Sequence, residues 1–184
     1  MPTERDGLHG GPDWRPGWVP ALVVLALFAA AVALHWFGGD AYYRLRAAVG
    51  LKPFVPFLDL HNVMAAIACW RDGIDVYATN PCDAMGRVHI YSPLWLRLPA
   101  FFGDPALLNP LGIVCALAFI AALVPLPWPR ARCRQAVMLM AVASPATGFA
   151  LERANMDLLI YVLAVAGALL LSRGLGARST GYGL

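Results

Sequence analysis

WVPALVVLALFAAAVALHWF, residues Trp18–Phe37, contains no Asp, Glu, Lys or Arg. At about 1.5 Å of rise per residue, a helix of this length reaches about 30 Å, the hydrocarbon thickness of a bilayer. Trp18, Trp36 and Phe37 stand at its ends, where aromatic rings favour the membrane–water interface. A secretory signal peptide has a shorter apolar region, about 7–15 residues, followed by a small-residue cleavage site. No such site follows here. The stretch reads as a first membrane span, preceded by a polar, Gly- and Pro-containing leader over residues 1–17.

The composition agrees with that reading. Hydrophobic residues make up 60% of the 184-residue chain and charged residues 14%, with a mean hydropathy of +0.62. Soluble domains carry about 45–50% apolar and about 25% charged residues. A water-soluble fold with so few charges would expose large apolar patches, which a bilayer covers. The net charge of +3 gives no basis for nucleic acid as a partner. The expected class is all-α, a polytopic transmembrane helical bundle with a long first outer loop containing an amphipathic interfacial helix.

Working outward from the first span, residues 38–106 form the expected loop and are richer in charge up to about residue 92. Inside it, residues 58–70 (LDLHNVMAAIACW) place Leu60, Val63, Met64, Ile67 and Cys69 mostly on one helical face, with Asp59 as its N-cap. This is the helix expected to lie at the membrane surface. Asp72 with Gly73, and Asn80 with Pro81, are turn signals. Residues 91–102 (YSPLWLRLPAFF) are broken by Pro93, Arg97 and Pro99, and read as an interfacial or re-entrant piece or the start of a tilted helix.

Further spans are expected over 107–126, over 136–151 with an interruption at Ser144 and Pro145, and over 158–171. Counting the first, this makes about four spans in a module covering 18–172, followed by a tail over 173–184. Arg130, Arg132 and Arg134, and then Arg173 and Arg178, flank these spans without nearby acids. The positive-inside tendency places both segments and the amino terminus in the cytoplasm, so the 38–106 loop and the 152–157 turn face outward.

Of the four cysteines, Cys69 and Cys82 share the long loop. Two readings stand: a disulfide, if the loop faces an oxidising compartment, or two free thiols. No C-x-x-C pair occurs, which argues against a zinc site. Asp72, Asp75 and Asp83 are spaced too loosely for a dedicated cation loop. No metal or other cofactor is expected.

Two acidic features fall on the outer side: Asp59 with His61 and Asn62, and ERANMD at 152–157, carrying Glu152, Arg153 and Asn155. Ionisable groups near a membrane suggest function by default. The plain alternatives are an N-cap for Asp59 and a structural ion pair at a helix end for Glu152 and Arg153.

DLH at 59–61, GIDVY at 73–77, NPCD at 80–83, YSPL at 91–94 and ERANMD at 152–157 occur in an order and spacing that resembles the polyprenyl-phosphate-dependent glycosyltransferases of the GT-C fold, in particular glycosyltransferase family 87. The resemblance covers about residues 18–172. It implies that Asp59 is the catalytic base on an acceptor hydroxyl and that Arg87 and Arg153 attend the leaving lipid phosphate. His61, Tyr91, Glu152 and Asn155 complete the substrate-binding set, and the partners are the bilayer and a polyprenyl-phosphate sugar donor. It further implies a multi-pass protein of the cell membrane, as in a bacterial inner membrane. Two positions depart from the family pattern: Ser92 follows Tyr91 where Pro is more usual, and Ala154 replaces the Gly of Glu-Arg-Gly-Asn. GT-C enzymes usually have more spans than are counted here, which implies missing carboxy-terminal spans or an additional membrane subunit. A non-catalytic membrane subunit or transporter fragment is the alternative; small residues such as Ala29 to Ala31, and Gly167 with Ala168, would let its helices pack closely.

Overall fold

The computed structural model describes residues 15–48 and 56–181. Its regular structure is almost entirely helical. Helix α1 is Trp18–Phe37, with the bounds expected; α2 is Asp40–Ala48, α3 Leu58–Arg71, α4 Leu108–Leu123, α5 Arg132–Val142, α6 Pro145–Arg153 and α7 Met156–Gly181. Three short 3-10 turns, Trp95–Arg97, Ala100–Gly103 and Pro105–Leu107, lead into α4. Strands β1 (Arg15–Pro16) and β2 (Pro127–Trp128) pair antiparallel just before α1 and just after α4.

Among the described residues, two helices are long and apolar enough to cross a membrane: Trp18–Phe37 and Pro105–Leu123. A third crossing is reached only if Arg132–Arg153 and Met156–Ser172, which meet at an angle of 104°, are taken as one broken span. Among the described residues the count is thus two or three, against the four or so expected from hydropathy. The chain breaks where Ser144 and Pro145 predicted it: Ser144 caps α6 by accepting from the Thr147 N–H, and Pro145 occupies the first turn, where its missing N–H costs nothing. Helix α7 continues through Gly181, well beyond the expected end at 171. The first fourteen residues of the expected leader and residues 182–184 of the expected tail lie outside the described residues.

Helix α1 buries only Pro20, Ala21 and Val24, while Leu22, Leu27, Trp36 and Phe37 are exposed. An uncharged helix turning large apolar side chains outward needs hydrocarbon around it, and the chain is membrane-associated on that ground. Ala21 and Val24 share a cluster with Ala116, Phe119, Ile120 and Leu123 of α4. The Gly17 N–H donates to Val124 O, and a Cβ on Gly17 would lie 2.4 Å from Leu123 O. The beginning of α1 thus touches the end of α4, and the two run antiparallel.

Helix α3 forms where predicted, but its surroundings differ from the expectation. Leu58, Asp59, Leu60, Asn62, Val63, Met64, Ala65, Ala66, Ile67 and Cys69 are all buried. Burial on nearly every side replaces the single apolar face expected, because the 3-10 turns fold back over it and bring Leu96, Leu98 and Phe102 against its core. Residues 91–102 are accordingly a set of short turns packed on α3. Asp59 is not the cap: that position is Phe57, in the left-handed region at φ 59°, with no side-chain capping bond. Cys69 and Cys82 form a disulfide, Cα–Cα 5.9 Å, which ties the end of α3 to the loop.

Phe57 is the junction of the fold. Its N–H donates to Glu152 O at 2.8 Å, and its ring lies over Gly112 of α4, where an added Cβ would come within 2.3 Å of Phe57 Cγ. Gly112→Ala is therefore expected to lower stability by about 1–3 kcal/mol, read as a fall in the thermal unfolding midpoint in detergent.

Candidate functional site

The left-handed Phe57 turns the chain into α3, so Asp59 sits in its first turn, 6% exposed. A carboxylate so buried requires partners. The sharp turn between α6 and α7 supplies them. Arg153 Nε donates to Asp59 Oδ2 at 2.9 Å, Arg153 Nη2 donates to Oδ1, and Asn155 Nδ2 donates to Oδ2 at 3.0 Å. The turn is made by Ala154, φ 45° and ψ 54°, fully buried at the end of α6. Arg153 also stacks on Phe149, 4.9 Å from the ring centroid.

A second carboxylate organises the loop side. Asp83 accepts from Arg87 Nε at 3.2 Å and Nη2 at 2.8 Å, from the Met85 N–H at 2.9 Å and from Asn62 Nδ2 at 3.2 Å. Arg87 Nη2 also donates to Leu58 O at 2.8 Å, which leaves Arg87 Nη1 3.7 Å from Asp59 Oδ1. The disulfide at Cys82 places Asp83 beside α3, so a covalent tie and an ion pair together carry Arg87 to the start of that helix.

Asp59, Asn62, Arg87, Tyr91 and Arg153 line an open cleft of about 430 Å³, with Val88 and Ile90 on its walls. Asp59 Oδ2 accepts two donors and Oδ1 one within hydrogen-bond distance. A carboxylate oxygen has two acceptor positions, so Oδ1 retains one. Burial pushes the Tyr91 phenol above its usual range, and the Asp59 charge adds to this, so Tyr91 remains a neutral donor at neutral pH.

Of the residues expected at the site, Asp59, Arg87, Tyr91 and Arg153 share the cleft, and Asn155 holds Asp59 from behind. His61 does not line it; its Nδ1 lies 3.5 Å from Asp83 Oδ2. Glu152 is not a cleft residue either. It pairs with Arg46 of α2, which also donates to the Tyr42 hydroxyl, and faces a separate apolar groove. Successive residues on a helix point about 100° apart, so Glu152 and Arg153 reach different sides. The helix-end ion pair between them is replaced by two long-range pairs.

Asn62, marked in the sequence beside Asp59, and Asp83, marked within NPCD, turn out to organise the site, as does Arg46, which sequence reading missed. The i,i+4 spacing of Asp83 and Arg87 was a signal available in the sequence; nothing local marks Arg46. Among the described residues, no group of three or more His, Cys, Asp or Glu is placed to hold a metal ion.

No protein-family model, no curated protein and no solved structure shows a significant match to the chain.

Two outcomes test this geometry. Burial alone would raise the Asp83 carboxyl, but the hydrogen bonds from Arg87, Met85 and Asn62 outweigh it and hold the group well below the usual carboxylate range. The folded state then binds fewer protons than the unfolded one, so this stabilisation is present above about pH 4 and is lost as pH falls. The unfolding midpoint should fall progressively as the pH is lowered below about 4, and Asp83→Asn, starting lower, should flatten the slope. At Ala154, left-handed backbone costs an L-residue roughly 1–2 kcal/mol, against about 0.8 for a buried methyl and about 0.5–1 for glycine entropy. Ala154→Gly should therefore be near neutral in thermal unfolding, whereas β-branched Ala154→Val should be strongly destabilising.

Proposed function

We propose that the chain is a membrane glycosyltransferase, or the amino-terminal part of one, that moves a sugar from a polyprenyl phosphate to an acceptor hydroxyl. One observation carries the reading: Asp59, on the loop side, meets Arg153 and Asn155, 94 and 96 residues away, in a cleft open to ligand. These are the residues that the family resemblance named. Arg87 joins them, so the cleft offers two guanidinium groups beside one carboxylate oxygen with an acceptor position to spare.

In this mechanism the acceptor O–H donates to Asp59 Oδ1. As its oxygen bonds to the anomeric carbon, the proton passes to the carboxylate. The bond between that carbon and the phosphate oxygen breaks, and the electron pair leaves with the lipid phosphate. Arg87 and Arg153 stabilise that anion, and Tyr91 donates to the sugar. The Cys69–Cys82 disulfide supports an oxidising, external side for the loop, which fits a multi-pass protein of the cell membrane with its cleft outward.

The two-point grip of Arg153 on Asp59 favours a second reading, a structural ion pair in a non-catalytic membrane subunit. One experiment separates them. Membranes containing the chain, given radiolabelled sugar on polyprenyl phosphate, should transfer label, and Asp59→Asn should reduce transfer at least about 100-fold while the protein remains folded. Transfer by the wild type that is unchanged in Asp59→Asn favours the structural reading.

A further inference from the structure

On the far side of the wall formed by Phe57 and Glu152 lies a separate groove of about 150 Å³. One bank is α1, through Leu27, Phe28 and Ala31; the other is the α5–α6 break, through Ser144, Thr147 and Gly148. Its lining is predominantly apolar, and it runs beside an uncharged helix whose outer face is exposed Leu and Trp. The medium at that face is hydrocarbon, so the groove is open to lipid chains.

The groove closes on polar groups. Glu152 Oε1 is taken by Arg46, but Glu152 Oε2 is buried without a hydrogen-bond partner, as is His35 Nδ1. Both residues line the groove. A buried acceptor left unmade costs about 1–3 kcal/mol, and a carboxylate oxygen can be satisfied only by a donor. His35, Trp36 and Tyr42 gather at this same end, with the His35 and Tyr42 rings 4.8 Å apart. Aromatic side chains at the end of a span mark headgroup level. The groove therefore has an apolar run at hydrocarbon depth and a polar stop, with one unpartnered carboxylate oxygen, at headgroup depth.

We propose that this groove is a binding site for a membrane lipid whose uncharged head carries hydroxyl groups, with its chain along α1 and a head hydroxyl donating to Glu152 Oε2. A choline head has no N–H or O–H donor and leaves that oxygen unsatisfied. The oxygens of a bare phosphate are acceptors and cannot satisfy another acceptor. The site is distinct from the Asp59 cleft and stands whether or not the chain transfers sugar.

Gly148 provides a test that spares the fold. A Cβ built there meets nothing within 4 Å, so Gly148→Leu extends into the groove and improves helix propensity. Gly167, on α7 and outside the groove, also meets nothing within 4 Å, and Gly167→Leu is the matched control. The full chain is placed in nanodiscs containing equal amounts of a galactosyl diacylglycerol and a phosphatidylcholine with the same acyl chains. Lipid retained on release is weighed by native mass spectrometry. The wild type and Gly167→Leu should retain the galactolipid over phosphatidylcholine by roughly five- to tenfold, the worth of about one net hydrogen bond, and Gly148→Leu should retain neither. Equal retention of the two lipids overturns the head assignment. Retention by Gly148→Leu equal to the wild type, or none by the wild type, overturns the site.

Discussion

A carboxylate buried at the start of a helix persists when donors surround it, and Asp59 is almost wholly covered by protein. Arg153 and Asn155 meet that requirement from the other end of the described chain. To do so, the chain must turn sharply between α6 and α7, and it does so through a left-handed alanine. Position 154 is thus one whose backbone glycine would adopt without a Cβ penalty. The same turn directs Glu152 back to the Phe57 N–H and to Arg46. One electrostatic demand at Asp59 accordingly sets the approach of α3, α6 and α7.

The charges around this junction are balanced. Asp59, Asp83 and Glu152 are matched by Arg153, Arg87 and Arg46; the first and last pairs join remote segments that the apolar packing brings together, and the Asp83–Arg87 pair is local. Breaking such a pair would strand a charge away from water, which costs far more than an exposed pair contributes. The disulfide acts on the same region by a different means. By joining Cys69 to Cys82, it limits where Asp83, and hence Arg87, can lie. Cleft geometry therefore rests on a covalent tie on one side and an ion pair on the other.

Helix α3 illustrates where local pattern misleads. Its bounds were legible because Leu, Met, Ile and Ala recur at helical spacing between Asp59 and a Gly-containing turn. Its burial was not, because the residues that cover its second face arrive as short turns from 95–107 with no periodicity of their own. The same limit explains the span count. Hydropathy identifies apolar segments long enough to be helices, but Ser144 with Pro145 and the Ala154 turn divide the later ones, and the 104° bend follows from how they pack.

The sequence by itself determined the class of the protein: its low charge and the uncharged run of α1 require helices in contact with lipid, because hydropathy is a property of each segment alone. It also marked the carboxylate and the acidic turn that form the cleft. Only the tertiary structure decided the partners. That Arg153 grips Asp59, that Glu152 turns away to Arg46, and that Cys69 bonds Cys82 depend on distances between segments remote along the chain. Such distances come from the packing of the whole chain, and no local spacing encodes them.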